Sequence, residues 1–128
     1  MNSSRQLIGI RGEDIAAQFL AKKGFRIIER NFKKRYGEID IVAIDPSKSS
    51  GPDGTLVFVE VKTRSSGEFG NPLEAITSFK LKQLIKTAQF YHLTHPDFPD
   101  LLRIDAVSVE IGLDGSVEKI EHVRNLTS

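Results

Sequence analysis

The chain has 128 residues, of which 39% are hydrophobic and 27% charged, with a net charge of +1 and no cysteine. That length suits one domain with a real core, expected here over residues 1–128. The lack of cysteine excludes disulfides, thiolate-rich zinc sites and a cysteine nucleophile, and no apolar run approaches the roughly 20 residues of a membrane helix.

From about Arg5 to Lys23, Gly12, Ile15, Ala16, Phe19 and Leu20 recur at helical spacing, and Gly24 ends the pattern as a C-terminal glycine does. Glu13 and Asp14 lie in this first segment, which has no continuous apolar stretch and no small-residue cleavage site. It fits neither a signal nor a transit peptide, so the expected location is the cytoplasm. Three β-rich runs follow, "FRIIERNFK", "YGEIDIVAI" and "TLVFVEVKTR", joined by a tight turn and by "DPSKSSGPDG", and they read as an antiparallel meander. After "SSGEFGNP", residues from Leu73 to about Leu93 align Leu81, Leu84, Ile85, Ala88 and Tyr91 on one stripe with Lys82 and Lys86 opposite. This predicts a second helix ending before Pro96. "LLRIDAVSVEI" and "VEKIEHVRN", separated by "LDGS", make a closing hairpin. The predicted order is αβββαββ, an α/β fold with a mixed central sheet flanked by helices and an additional C-terminal strand.

Charge is unevenly spread along this framework. Between residues 22 and 35 stand Lys22, Lys23, Arg26, Arg30, Lys33, Lys34 and Arg35 against Glu29 alone, whereas acids dominate from Asp97 onward. Such a basic segment, with Phe32 and Tyr36 interleaved, reads either as a phosphate-binding face or as an ordinary solvated surface.

Three further charges interrupt strands that should be buried. Asp40 stands among isoleucines and valines, and Glu60 and Lys62 break a run of valines. Ionised groups in apolar surroundings cost several kcal/mol, roughly, unless paired or metal-bound. Strand alternation puts Glu60 and Lys62 on one face and Val57, Val59 and Val61 on the other. Asp40 shares its face with Val42 and Ile44, and can stand beside Glu60 if the second and third strands pair. Two converging carboxylates repel unless a cation bridges them, and hard oxygen ligands suit Mg²⁺ or Mn²⁺. The alternative is an exposed cross-strand ion pair of little energetic weight.

Asp40 followed by the "EVK" of Glu60 to Lys62 resembles the PD-(D/E)xK nuclease motif, and the αβββαβ order resembles that superfamily's restriction-endonuclease-like core. "GEDIAAQFLAKKGFRIIERNFKKRYGEIDIVA" together with "LVFVEVKTR" resembles the YraN-like family of predicted endonucleases, which is similar to archaeal Holliday-junction resolvases. The resemblance runs from Gly12 to the "RIDAV" of Arg103 to Val107. Ile39 replaces the motif's proline and leaves the aspartate intact. The resemblance implies a Mg²⁺- or Mn²⁺-dependent endodeoxyribonuclease in which Asp40 and Glu60 hold the metal and Lys62 acts at the attacking water or the phosphate. It also implies a DNA substrate, branched if the resolvase kinship extends so far, and leaves room for a homodimer.

Other positions carry two readings each. Glu13 turns toward the sheet; in the resembling nucleases an acid there completes the metal site, whereas on its own it is a charge favoured by the helix dipole. Lys80 is a phosphate contact or a snorkelling lysine. Arg64 continues the face of Glu60 and Lys62 as a candidate phosphate contact, and Glu38 is a supporting acid at the strand's mouth. Asp105, with Arg103 on the same face, reads as a buried salt bridge. His92, His95 and His122 have no ligand spacing and receive no role. Besides the nuclease, two other classes fit the chain: a nucleic-acid-binding protein without efficient catalysis, and a structural domain whose charges form an internal network.

Overall fold

The computed structural model describes residues 4–47, 52–68 and 70–127, with backbone alone for residues 4–10. Part of the 45–54 loop and Phe69 therefore lie outside the described residues. The elements are α1 (Ser4–Lys22), β1 (Arg26–Lys34), β2 (Gly37–Asp45), β3 (Thr55–Ser65), a 3₁₀ turn (Pro72–Ala75), α2 (Ser78–Thr94), β4 (Leu102–Ile111) and β5 (Val117–Val123). The expected order αβββαββ is observed.

Helix α1 ends as its sequence requires. Gly24 takes φ +98°, its N–H donates to the Ala21 carbonyl, and Phe25 N–H reaches back to the Leu20 carbonyl. This is a Schellman cap whose closing apolar contact, Phe25 with Leu20, joins the core. Helix α2 starts later than its periodicity predicts. Asn71 caps the 3₁₀ turn, and Thr77 accepts from the Lys80 N–H at 3.1 Å, which fixes Ser78 as the first helical residue.

The five strands lie in chain order, β1-β2-β3-β4-β5. Neighbours are antiparallel except β3 and β4, which run parallel. A parallel pair needs a long crossover, and α2 with its preceding turn supplies it. Helix α1 covers one face over Ile41, Ala43, Val57, Val59, Val107 and Val109. Helix α2 covers the other, over Phe32, Ile39, Val42, Leu56, Phe58 and Ile104. Among the described residues no helix is long and apolar enough to cross a membrane.

One break in this regular sheet positions everything that follows. The β2–β3 ladder runs from Asp45↔Thr55 to Ile41↔Val59 and stops. Beyond that point β2 stays with β1 as far as Gly37, while β3 stays with β4 as far as Ser65. The sheet forks. The alternation of β2 breaks at the same place, because Ile39 and Val42 both face α2 while Ile41 faces α1. Across the ladder, Arg30↔Ile41 and Phe32↔Ile39 leave Asn31 opposite Asp40, and Asn31 adopts a left-handed φ of +56°. A left-handed residue turns the chain over, which puts Phe32 on the α2 side with Ile39.

Candidate functional site

Asp40 sits at the crotch of the fork, 8% exposed. Continuing the β2–β3 register would set Ile39 opposite Val61. Instead the Val61 N–H donates to Asp40 Oδ2 at 2.7 Å. The Asp40 side chain thus engages β3 at the residue where the alternation of β2 is lost.

Glu60 is 5% exposed on β3, and Lys62 Nζ stands 3.5 Å from its Oε1. Lys80 of α2 approaches its other oxygen at 3.9 Å. Lys80 is therefore brought to Glu60 by α2, and its ammonium is not merely extended into solvent. Glu13 comes from α1. Helix and strand can approach this closely because position 12 is glycine, where any Cβ would collide with the Thr63 side chain. Glu13 faces Arg30 at 3.8 Å, and its Oε1 is buried without a hydrogen-bond partner.

The electrostatics follow from burial. The Glu60 carboxyl is pushed above its ordinary range by desolvation and by the neighbouring Asp40 charge, against the pull of Lys80 and Lys62. Asp40 is raised by desolvation and by Glu38, although the Val61 N–H and the two lysines oppose this. Glu13 is raised by desolvation and then by Asp40. Asp40 is the shared neighbour in all these couplings. Asp40 thus couples by charge to Glu60 on β3 and to Glu13 on α1, and burial disfavours the anion of each.

With the geometry in place, the chain can be set beside known proteins. The profile described as "Uncharacterised protein family UPF0102" matches residues 12–109, which include all of α1 past Gly12, β1 to β3, α2 and most of β4. The chain belongs to the UPF0102 family. It is 45% identical over 118 residues to a UPF0102 protein of Syntrophomonas wolfei, covering 92% of this chain and 95% of that one. A UPF0102 protein of Geobacter metallireducens is 39% identical over 125 residues, covering 98% and 95%, and one of Geobacter sulfurreducens is 43% identical over 121 residues, covering 94% and 88%. The YraN-like membership expected from the "GEDIAAQFL" and "EVKTR" segments is borne out by these matches.

The cations of this UPF0102 chain divide by partner. Arg30 is held by Asp14 at 2.7 Å as well as by Glu13 and ties β1 to α1. Lys33 pairs with Glu38 at 3.7 Å. Lys34 lies over the Phe32 ring, 5.7 Å from its centroid, and Arg35 is exposed. The Arg64 guanidinium donates to the Gly70 carbonyl, bracing the loop after β3. Of the two interleaved aromatics, only Tyr36 is exposed; Phe32 is core, turned inward by Asn31.

A second charged cluster was only half visible in the UPF0102 sequence. The salt bridge expected between Arg103 and Asp105 is present at 2.8 Å. His122 Nε2 also lies 2.8 Å from Asp105, Asp45 joins Arg103 at 3.0 Å, and Lys23 lies 2.8 Å from His122 Nδ1. Burial alone would raise the Asp105 pKa, but the bonds from His122, Arg103 and the Asn125 N–H together hold it below the ordinary value. His122, given no role from spacing, is a structural partner on β5. The available signal was its position on the closing hairpin beside "RID".

Proposed function

We propose that this UPF0102 protein is a metal-dependent endonuclease that hydrolyses phosphodiester bonds in DNA. The observation that carries the reading is the fork, where Asp40, Glu60, Lys62, Lys80 and Glu13 converge from four elements beside an opening between strands.

The donor set fits a hard divalent cation. Glu13 Oε1 is buried without a hydrogen bond, Arg30 standing off at 3.8 Å, the carboxyls of Asp40 and Glu60 are destabilised as anions, and every candidate ligand is oxygen. Mg²⁺ commonly takes one or two carboxylates and completes its shell with water and substrate phosphate, so Asp40 and Glu60 suffice with Glu13 nearby. Bound there, Mg²⁺ or Mn²⁺ would supply an activated water and counter-charge for the transition-state oxygens. Lys62, paired with Glu60 on the same strand, is suited to orient that water or neutralise a phosphate oxygen. Lys80 offers a second positive charge from the α2 side, and the Val61 N–H fixes the Asp40 carboxylate.

One observation favours a second reading, a DNA-binding protein of this fold without efficient catalysis. Among the described residues, no three carboxylates or imidazoles gather closely enough to cage an ion unaided. Two experiments separate the readings. Cleavage is assayed over linear, flapped and four-way DNA in Mg²⁺ and Mn²⁺, and Mn²⁺ binding is measured by calorimetry. Asp40→Asn should weaken both metal binding and cleavage, whereas Lys62→Ala should bind metal and fail to cleave. A wild-type protein that binds DNA but neither takes up Mn²⁺ nor cuts any of the panel would leave the binding reading.

A further inference from the structure

Helix α2 has an outer face that the candidate site does not use. Phe79, Gln83, Lys86, Phe90 and Leu93 follow one another at intervals of three and four residues, which aligns them on a single stripe. It lies opposite the buried Leu84, Ala88 and Tyr91. Phe79 is 72% exposed, Phe90 37% and Leu93 77%, and Tyr36 of the β1–β2 turn, 48% exposed, adjoins them. The turn rests on α2 at Gly37, where a Cβ would come within 3.4 Å of Thr87 Oγ1. Lys86 lies over the Tyr36 ring, 5.9 Å from its centroid. Shallow hollows flank Lys86, one of about 310 Å³ beside Tyr36 and Phe90 and one of about 280 Å³ beside Phe79 and Lys82.

The charge on this face is of one sign. Helix α2 contains Lys80, Lys82 and Lys86 and no acid, Lys34 ends β1, and Arg35 stands on the adjoining turn. A two-fold pairing of the face with itself would set lysines against lysines, which disfavours a second copy as occupant. A polyanion with exposed apolar faces suits it on both counts. Duplex DNA offers phosphates but hides its base faces, whereas unpaired nucleotides present both, and exposed aromatics interleaved with lysines are how such strands are held.

Resting on the endonuclease reading above, we infer that the Phe79–Phe90–Tyr36 face of α2 stacks unpaired bases of the substrate, so that the preferred DNA carries a single-stranded arm next to the scissile phosphate. Continuity with the site supports this. Lys80, adjacent to Phe79, is the α2 residue that reaches Glu60. From Phe79 to Leu93 the stripe extends about 21 Å at 1.5 Å per residue, room for several stacked nucleotides.

The chain contains no tryptophan, so Phe79→Trp supplies a single reporter whose emission is quenched by stacked bases. Titrations are run in EDTA, where cleavage plays no part, with a 20-nucleotide single strand, a 20-base-pair duplex and a duplex bearing a short single-stranded arm. Quenching by the single strand and the armed duplex, but not by the blunt duplex, is expected. Phe79→Ala/Phe90→Ala should bind both of those DNAs about tenfold or more weakly, at unchanged salt dependence. An unquenched indole together with undiminished binding by the alanine variant would overturn the inference while leaving the nuclease reading intact. Light scattering that finds a dimer turned into monomer by the same variant would also overturn it, since the face would then be a self-interface. Quenching without cleavage by the parent protein in Mg²⁺ or Mn²⁺ would sink the nuclease reading and leave the stacking face standing.

Discussion

Asp40→Asn and Asp105→Asn make one chemical change at two buried carboxylates, and they should move stability in opposite directions. Asp105 accepts from Arg103, His122 and the Asn125 N–H at 2.8 to 3.0 Å. Its folded pKa is depressed, so its stabilisation is present above the unfolded pKa of about 3.9 and is lost as pH falls through the folded value. Neutralising it removes the anion shared by Arg103 and His122 and leaves Arg103 with Asp45 alone, a loss of up to about 3–5 kcal/mol. For a chain of this length that is a fall in Tm of about 10–20 °C. Asp40 has the reverse sign. Its folded pKa is raised, chiefly by desolvation, so a penalty develops as pH climbs from about 3.9 and is complete above the folded value. Asparagine can still accept the Val61 N–H but carries no charge. A gain of about 0.5–2 kcal/mol is expected at pH 7, and it should fade below about pH 4. Thermal unfolding followed by circular dichroism in EDTA, at pH 7 and pH 4, tests both substitutions. If Asp40→Asn lowers Tm at pH 7 as much as Asp105→Asn does, Asp40 is a structural ion-pair member and not a carboxylate destabilised by its burial.

Gly12→Ala drives a methyl group into Thr63; a loss of about 1–3 kcal/mol by chemical denaturation is expected, with Glu13 displaced. Asn31→Gly should be close to neutral, because Gly favours φ +56°, whereas Asn31→Val should cost about 1–2 kcal/mol or more. Replacing Lys33, Lys34 and Arg35 with alanine should reduce the slope of log K against log salt for duplex DNA by up to about 2–3 while thermal stability is kept. Lys33 should contribute least, since Glu38 already engages it.

What was readable in the sequence was whatever depends on local pattern. The apolar stripes of the helices, the period-2 valines of β3 and the glycine stop of α1 gave the element order, and the isolated charges of Asp40, Glu60 and Lys62 marked the candidate site. The fork was not readable, because it depends on where a ladder ends between strands separated by a loop. Once β2 loses its alternation at Asp40, face assignment by parity fails on one side of that residue, and the inward turn of Phe32 depends on the left-handed Asn31, which no local pattern announces. The pairing of Lys80 and the role of His122 eluded pattern reading for a related cause: their partners, Glu60 and Asp105, are long-range neighbours that helix or strand phase alone does not reveal.

The parting of β2 from β3 also gives the sheet two inner edges in addition to the outer pair. Unpaired backbone along Gly37–Asp40 and Val61–Ser65 would ordinarily invite a strand from a neighbouring molecule to zip in. Glu38 and Asp40 stand along one of those edges and Lys62 and Arg64 along the other, and Asp40 already occupies the Val61 N–H. Charges gathered at the opening thus double as gatekeepers, letting a cleft stay open in the middle of a sheet without becoming a seed for edge-to-edge aggregation.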